Sequence, residues 1–170
     1  MLVVLLAVVC LVGAAQSCDL KTSKQDDLIP ERLVGEWYAF YTFPKNFSNC
    51  YSCYNASYTL TSKDQLYVKN IYYDKRNTNP VRLEYNSEVT VKKNVLEWKG
   101  KRSEWDANYY VFATDYDNFI VLGGCPQEFS PSPLYWVAFR KQSDYSKEQQ
   151  DAEDALQTYD LSLQDFAKTC

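Results

Sequence analysis

From Gly35 onward the chain alternates apolar and polar positions in short runs broken by turn residues. The clearest run is Val81–Val91. There Val81, Leu83, Tyr85, Ser87, Val89 and Val91 fall on one side, and Arg82, Glu84, Asn86, Glu88 and Thr90 on the other. A period of two places one face of a strand in an enclosed space and the other in water. Strands are predicted over Trp37–Phe43, Tyr54–Thr61, Gln65–Tyr73, Val81–Val91, Val95–Lys99, Trp105–Thr114, Asn118–Gly123 and Leu134–Lys141. Turns such as Ser62-Lys63-Asp64 and Asp115-Tyr116-Asp117 separate them at roughly regular intervals. Even spacing with short turns predicts an all-β protein, either an up-and-down barrel or a sandwich. Residues 18–34 read as an extended arm with a helical turn over Pro30–Val34. After Ser143 the period changes to that of a helix, with Ala152, Leu156 and Tyr159 on one side, which predicts a C-terminal α-helix packed outside the sheet.

Outward residues fix the inner face of several strands. A sugar on Asn55 would have to face solvent, which puts Tyr54, Ala56, Tyr58 and Leu60 inside. Lys69 outside puts Leu66, Val68, Asn70 and Tyr72 inside. Glu97 and Lys99 outside put Leu96 and Trp98 inside.

Composition narrows the function classes. The length of 170 residues suits one domain. The first seventeen residues carry no charged side chain and contain an apolar run, Leu2–Val12, followed by small residues. They are expected to be a secretory signal peptide, leaving residues 18–170 as a secreted, extracellular domain. No later segment is apolar enough to cross a membrane as a helix. With 18 basic and 22 acidic residues the net charge is −4. The cluster Lys92, Lys93, Lys99, Lys101 and Arg102 is interrupted by acid, so no nucleic-acid partner is expected.

Cys10 would leave with the signal, and Cys18, Cys50, Cys53, Cys125 and Cys170 would remain. In an oxidising compartment these are expected to form disulfides, with one thiol left over or linking two chains. The Cys50-x-x-Cys53 spacing has no second CxxC, and the chain has no His, so neither a zinc site nor any other metal site is predicted. The absence of His also excludes Ser-His-Asp and Cys-His catalysis. Asn46-Phe47-Ser48 and Asn55-Ala56-Ser57 are candidate glycosylation sequons.

Three segments carry a family resemblance. Gly35-Glu36-Trp37 opens the first strand, Thr114-Asp115-Tyr116 turns between the sixth and seventh, and Arg140 ends the eighth. In this order they resemble the lipocalins, and arthropod-type members above all: insect bilin-binding proteins and the cockroach lipocalin allergen. The resemblance implies an eight-stranded antiparallel up-and-down β-barrel with a C-terminal helix. It gives Gly35, Trp37, Thr114, Asp115, Tyr116 and Arg140 the task of closing the barrel's blind end. It also implies disulfides Cys18–Cys125 and Cys53–Cys170, with Cys50 unpaired and available for a homodimer.

Strand parity then gives a candidate ligand lining: Ala39, Tyr41, Tyr58, Leu66, Val68, Tyr72, Leu83, Tyr85, Trp98 and Tyr109. Several inward Tyr hydroxyls suit a flat, partly polar ligand better than a bare acyl chain. A biogenic amine, a pheromone-like phenol or a tetrapyrrole fits that description. The expected function is carriage of such a small hydrophobic or aromatic molecule, without catalysis and without a cofactor. The loop Pro44–Tyr51 would gate the mouth. The alternatives are a secreted protein acting through its surface, as an inhibitor or structural product, and a lipocalin enzyme using the Cys50 thiolate.

Overall fold

The computed structural model describes residues 18–76, 78–100, 106–127, 131–143 and 145–169. The first seventeen residues, Cys170, Lys101, Arg102 and the predicted strand start at Trp105 lie outside this set. A single helical turn α1 (Pro30–Leu33) precedes strand β1 (Gly35–Phe43), and a second turn α2 (Phe47–Cys50) precedes β2 (Tyr51–Ser62). Then follow β3 (Gln65–Asp74), β4 (Val81–Lys92), β5 (Val95–Gly100), β6 (Ala107–Thr114), β7 (Phe119–Gly124) and β8 (Leu134–Phe139). Helix α3 (Ser146–Gln157) and a short strand β9 (Ala167–Lys168) complete the chain.

Each of β1 to β8 pairs antiparallel with its neighbours in sequence, and β1 pairs with both β8 and β2. That closes an eight-stranded up-and-down barrel and leaves no open edge among these strands. β9 adds to β1 beyond the reach of β2, through Tyr41↔Lys168 and Thr42↔Ala167.

Two apolar clusters result. The inner one fills the barrel with residues such as Leu66, Val68, Val89, Leu96 and Val111. The outer one lies between the barrel wall and α3 and joins Phe112, Val121, Val137 and Phe139 to Ala152, Leu156 and Tyr159. The helical face read from Ala152, Leu156 and Tyr159 is the buried one. The N-terminal arm is strapped across the same wall. The Lys21 amide donates to the Tyr135 hydroxyl at 3.0 Å and the Ser23 hydroxyl to Val111 O at 2.6 Å.

Cys18 and Cys125 form a disulfide with Cα atoms 6.1 Å apart, which ties this arm to the residue after β7. Cys53 is also disulfide-bonded. Its expected partner Cys170 falls outside the described residues, but the preceding residue, Thr169, accepts a hydrogen bond from the Cys53 amide at 3.3 Å. Cys50 is a free thiol.

One expectation from parity is corrected here. Tyr41 does not share a face with Ala39. The β1–β8 register shifts between Ala39 and Tyr41, so an extra residue in β1 rotates everything after it by one position. Tyr41 therefore faces outward, packs against the outer cluster, and donates to Gln149 Oε1 on α3 at 3.0 Å. Thr42 takes the inward place and is fully buried.

Candidate ligand-binding cavity

One end of the barrel is sealed. Gly35 adopts φ +110°, a conformation open mainly to glycine, and lets the chain turn sharply from α1 into β1. Trp37 then points inward and donates its indole N–H to Leu33 O at 2.9 Å. The Arg140 guanidinium lies 3.7 Å from the Trp37 ring centroid. It donates to the carbonyls of Arg32 (2.8 Å), Tyr116 (3.0 Å) and Glu36 (3.3 Å). Thr114 Oγ1 donates to Phe119 O and accepts from the Tyr116 amide, which pins the β6–β7 turn. Asp115 accepts from the amides of Asp117, Asn118 and Phe119. Tyr116, at φ +69°, buries its ring against the inner cluster and accepts from the Ile29 amide at 3.1 Å. All six residues assigned to barrel closure thus meet at this end.

Above this floor lies a cavity lined by Trp37, Ala39, Tyr54, Ala56, Tyr58, Tyr85, Trp98, Tyr109, Ile120, Leu122, Trp136 and Ala138. The space between them amounts to about 480 Å³ including its opening. None of these lining side chains is charged. The wall is aromatic: Tyr109 sits between Trp98 and Trp136, at centroid distances of 5.4 and 5.2 Å. Tyr54 stacks on Trp136 at 6.2 Å, and Tyr58 meets Trp98 edge-on at 6.3 Å.

Two groups of polar atoms in the wall differ in their partners. The Tyr54 hydroxyl donates to Asn70 Oδ1 and lies 3.1 Å from the Tyr85 hydroxyl, forming a buried polar cluster. Burial, reinforced by Tyr85, pushes the Tyr54 pKa well above its ordinary value of 10.0. Burial likewise raises that of Tyr58. Both phenols stay neutral at physiological pH. The indole N–H groups of Trp98 and Trp136, in contrast, are buried without an acceptor among the described residues.

The opposite end is roofed by α2. Phe47 is buried, with its ring 5.2 Å from that of Tyr51 and edge-on to Trp136 at 6.2 Å. Tyr51 meets Tyr72 at 5.2 Å, and Arg76, paired with Asp74 at 2.6 Å, lies over the Tyr51 ring at 4.9 Å. Cys50 is half-buried against the inner cluster.

Of the residues assigned to the lining from sequence, Ala39, Tyr58, Tyr85, Trp98 and Tyr109 form the cavity wall. Leu66, Val68, Tyr72 and Leu83 also face inward but pack into the cluster around it. Tyr41 is outside. Trp37, Tyr54, Ala56, Ile120, Leu122, Trp136 and Ala138 were not in that assignment. Of these, Tyr54 and Ala56 were already on the inner face by parity. For Trp136 and Ala138 a signal existed: both share the parity of Arg140, which stacks on inward Trp37. Asn46 is exposed, and Asn55 points outward opposite Tyr38 and Ile71.

No family model matches the chain. Among curated proteins it is 25% identical over 176 aligned residues to the Lazarillo protein of Schistocerca americana, covering 98% of this chain and 80% of that protein. Among solved structures, the cockroach allergen Per a 4 superposes with TM-score 0.75 at 21% identity, covering 91% of this chain and 94% of that one. The tryptamine complex of the amine-binding protein of Rhodnius prolixus gives 0.71 at 14% identity, covering 90% and 86%. Insecticyanin of the tobacco hornworm Manduca sexta gives 0.67 at 17% identity, covering 92% and 86%. These solved structures share the fold of this chain.

Proposed function

We propose that this chain, a lipocalin by its fold, is a carrier that encloses one small, flat, apolar ligand in its barrel and does no chemistry on it. The observation that carries this reading is the aromatic, uncharged cavity above a floor sealed by Arg140 and Trp37. Apolar ligand surface moved from water into such a wall gains roughly 25 cal/mol per Å². The named relatives support the class of function: one was solved with tryptamine, and another is an insecticyanin.

The narrow cavity selects within that class. A single or fused ring matches the space, and a tetrapyrrole would require the α2 roof and the barrel wall to move apart. The wall residues Ala39, Tyr58, Tyr85, Trp98 and Tyr109, together with Tyr54 and Trp136, are the proposed contacts, and Pro44–Tyr51 the proposed gate. The disulfides support a secreted protein, matured by loss of residues 1–17. Asn46 and Asn55 are both open to a glycan in that setting.

The same narrowness favours one alternative, a secreted protein that works through its surface with a filled barrel. Native mass spectrometry of the protein as secreted by its own tissue, against its denatured and deglycosylated mass, separates the two. A releasable extra mass supports the carrier. A single ligand-free species that takes up no amine, phenol, fatty acid or bilin from a panel overturns it.

A further inference from the structure

The two orphan indoles bear on the ligand's chemistry. Trp98 and Trp136 are each more than nine-tenths buried, both line the cavity, and neither Nε1 has a hydrogen-bond acceptor among the described residues. An indole N–H only donates. Buried donors in folded proteins are almost always paired, and an unpaired one marks a missing acceptor. Of the wall hydroxyls, that of Tyr54 is bonded to Asn70 and shares a contact with Tyr85. The cavity wall thus holds two N–H donors without an acceptor among the described residues.

We infer that the ligand is an uncharged aromatic molecule carrying a hydrogen-bond acceptor of the carbonyl or ether class, received by the indole N–H groups of Trp98 and Trp136. This rests on the carrier reading and narrows it. An ammonium gains from aromatic faces, but it brings only donors, leaves both indoles unpaired, and finds no carboxylate among the lining side chains. A carboxylate brings acceptors, but buries a charge beside no cation in that lining, which is costly. The Arg140 guanidinium does not serve, because it stacks on Trp37 and is bonded to three carbonyls of the floor. A neutral ketone, ester, aryl ether or oxygen heterocycle meets both conditions.

The test is a calorimetric titration with four monocyclic probes of similar size: acetophenone, α-methylstyrene, α-methylbenzylammonium and benzoate. α-Methylstyrene replaces the carbonyl oxygen of acetophenone by a methylene group. The expected order places acetophenone ahead of both charged probes. Its affinity relative to α-methylstyrene should fall about three- to ten-fold in Trp98→Phe or Trp136→Phe, the worth of one net hydrogen bond. Retained α-methylstyrene binding shows that a variant still folds around its cavity. If either variant does not fold, the order among the four probes on the unaltered protein decides. Tighter binding of the ammonium or of benzoate overturns the inference and leaves the carrier reading standing. So does an acetophenone to α-methylstyrene ratio unchanged in both variants. Failure of all four probes, with no other small molecule taken up, removes the carrier reading and this inference with it.

Discussion

The guanidinium of Arg140 lies 3.7 Å from the centroid of the Trp37 ring, and the two residues form the floor of the barrel from opposite ends of its sequence. Three backbone carbonyls converge on Arg140 from α1, β1 and the β6–β7 turn. Arg140→Ala should lower unfolding free energy by roughly 2–4 kcal/mol, summing the stacking contact and the three lost hydrogen bonds. Arg140→Lys keeps the charge but loses the planar fork, so it should recover less than half of that loss. Urea unfolding measures both. An Arg140→Ala protein as stable as the parent would show that the floor is held by apolar packing alone.

Gly35 is tied to the same contact. Its φ of +110° disfavours any side chain, and a Cβ there would stand 2.9 Å from Arg140 Nη1. Gly35→Ala should cost about 1–3 kcal/mol from backbone strain, plus the displacement of Arg140. In an Arg140→Ala background the steric part disappears and the backbone part remains. The two substitutions should therefore cost less together than the sum of their separate effects. Strict additivity in a double-mutant cycle would separate Gly35 from the Arg140 floor.

Asp115 gives the floor a pH dependence. Burial raises its pKa, but the side-chain hydrogen bond from Asn118 and the amides of Phe119, Asn118 and Asp117 outweigh it and hold the carboxyl below its ordinary 3.8. A carboxyl depressed in the folded state adds stability that is complete above the unfolded pKa and is lost as pH falls through the folded one. Stability should therefore decline below a pH of about 4, and Asp115→Asn should flatten that decline. At neutral pH the same substitution should cost about 1 kcal/mol, because an amide oxygen accepts less strongly than a carboxylate. Urea midpoints measured across this range, showing equal acid slopes for the two proteins, would assign the decline to other carboxylates.

Much of the barrel was legible because one face of β2, β3, β4 and β5 is wetted. There Glu84, Glu88, Lys69 and Glu97 mark the outside, so Tyr58, Tyr85 and Trp98 follow inside. The same reasoning fails on β7 and β8. Helix α3 and the flanking residues Tyr145 and Phe166 cover their outer surface, so Phe119–Gly124 and Leu134–Phe139 are buried on both faces and show no alternation. Ile120, Leu122 and Trp136 were lost to the lining for that reason. Tyr41 was misplaced because a bulge has no reliable sequence signature, and parity carries its one-residue error to the end of the strand. β9 has two residues and α2 four, too short for any period to register. The floor was readable for a different reason: Gly35, Trp37, Asp115 and Arg140 stand in the three segments that resemble the lipocalins, and that resemblance implied their task.

Phe47 is the residue by which the roof can be tested. It is 2% exposed, anchors the turn between β1 and β2, and rests on Tyr51 and Trp136. Trp136 belongs to the cavity wall, so a guest leaving through this end must lift Phe47 first. Removing the ring leaves the cavity's own contacts intact and lowers the barrier above it. In Phe47→Ala the dissociation rate of a bound ligand should rise by about ten-fold or more, the effect of roughly 1.4 kcal/mol off that barrier. The association rate should rise with it, leaving affinity changed less than either rate. Cys50 supplies an independent reporter, since its thiol is half-buried at the end of the same helical turn. Its reaction with a thiol reagent should be faster in Phe47→Ala than in the parent, and slower in the parent once ligand fills the space beneath. Stopped-flow release and timed Cys50 labelling check the two effects separately. Faster labelling with unchanged release would mean that the α2 roof opens but that guests leave by another path.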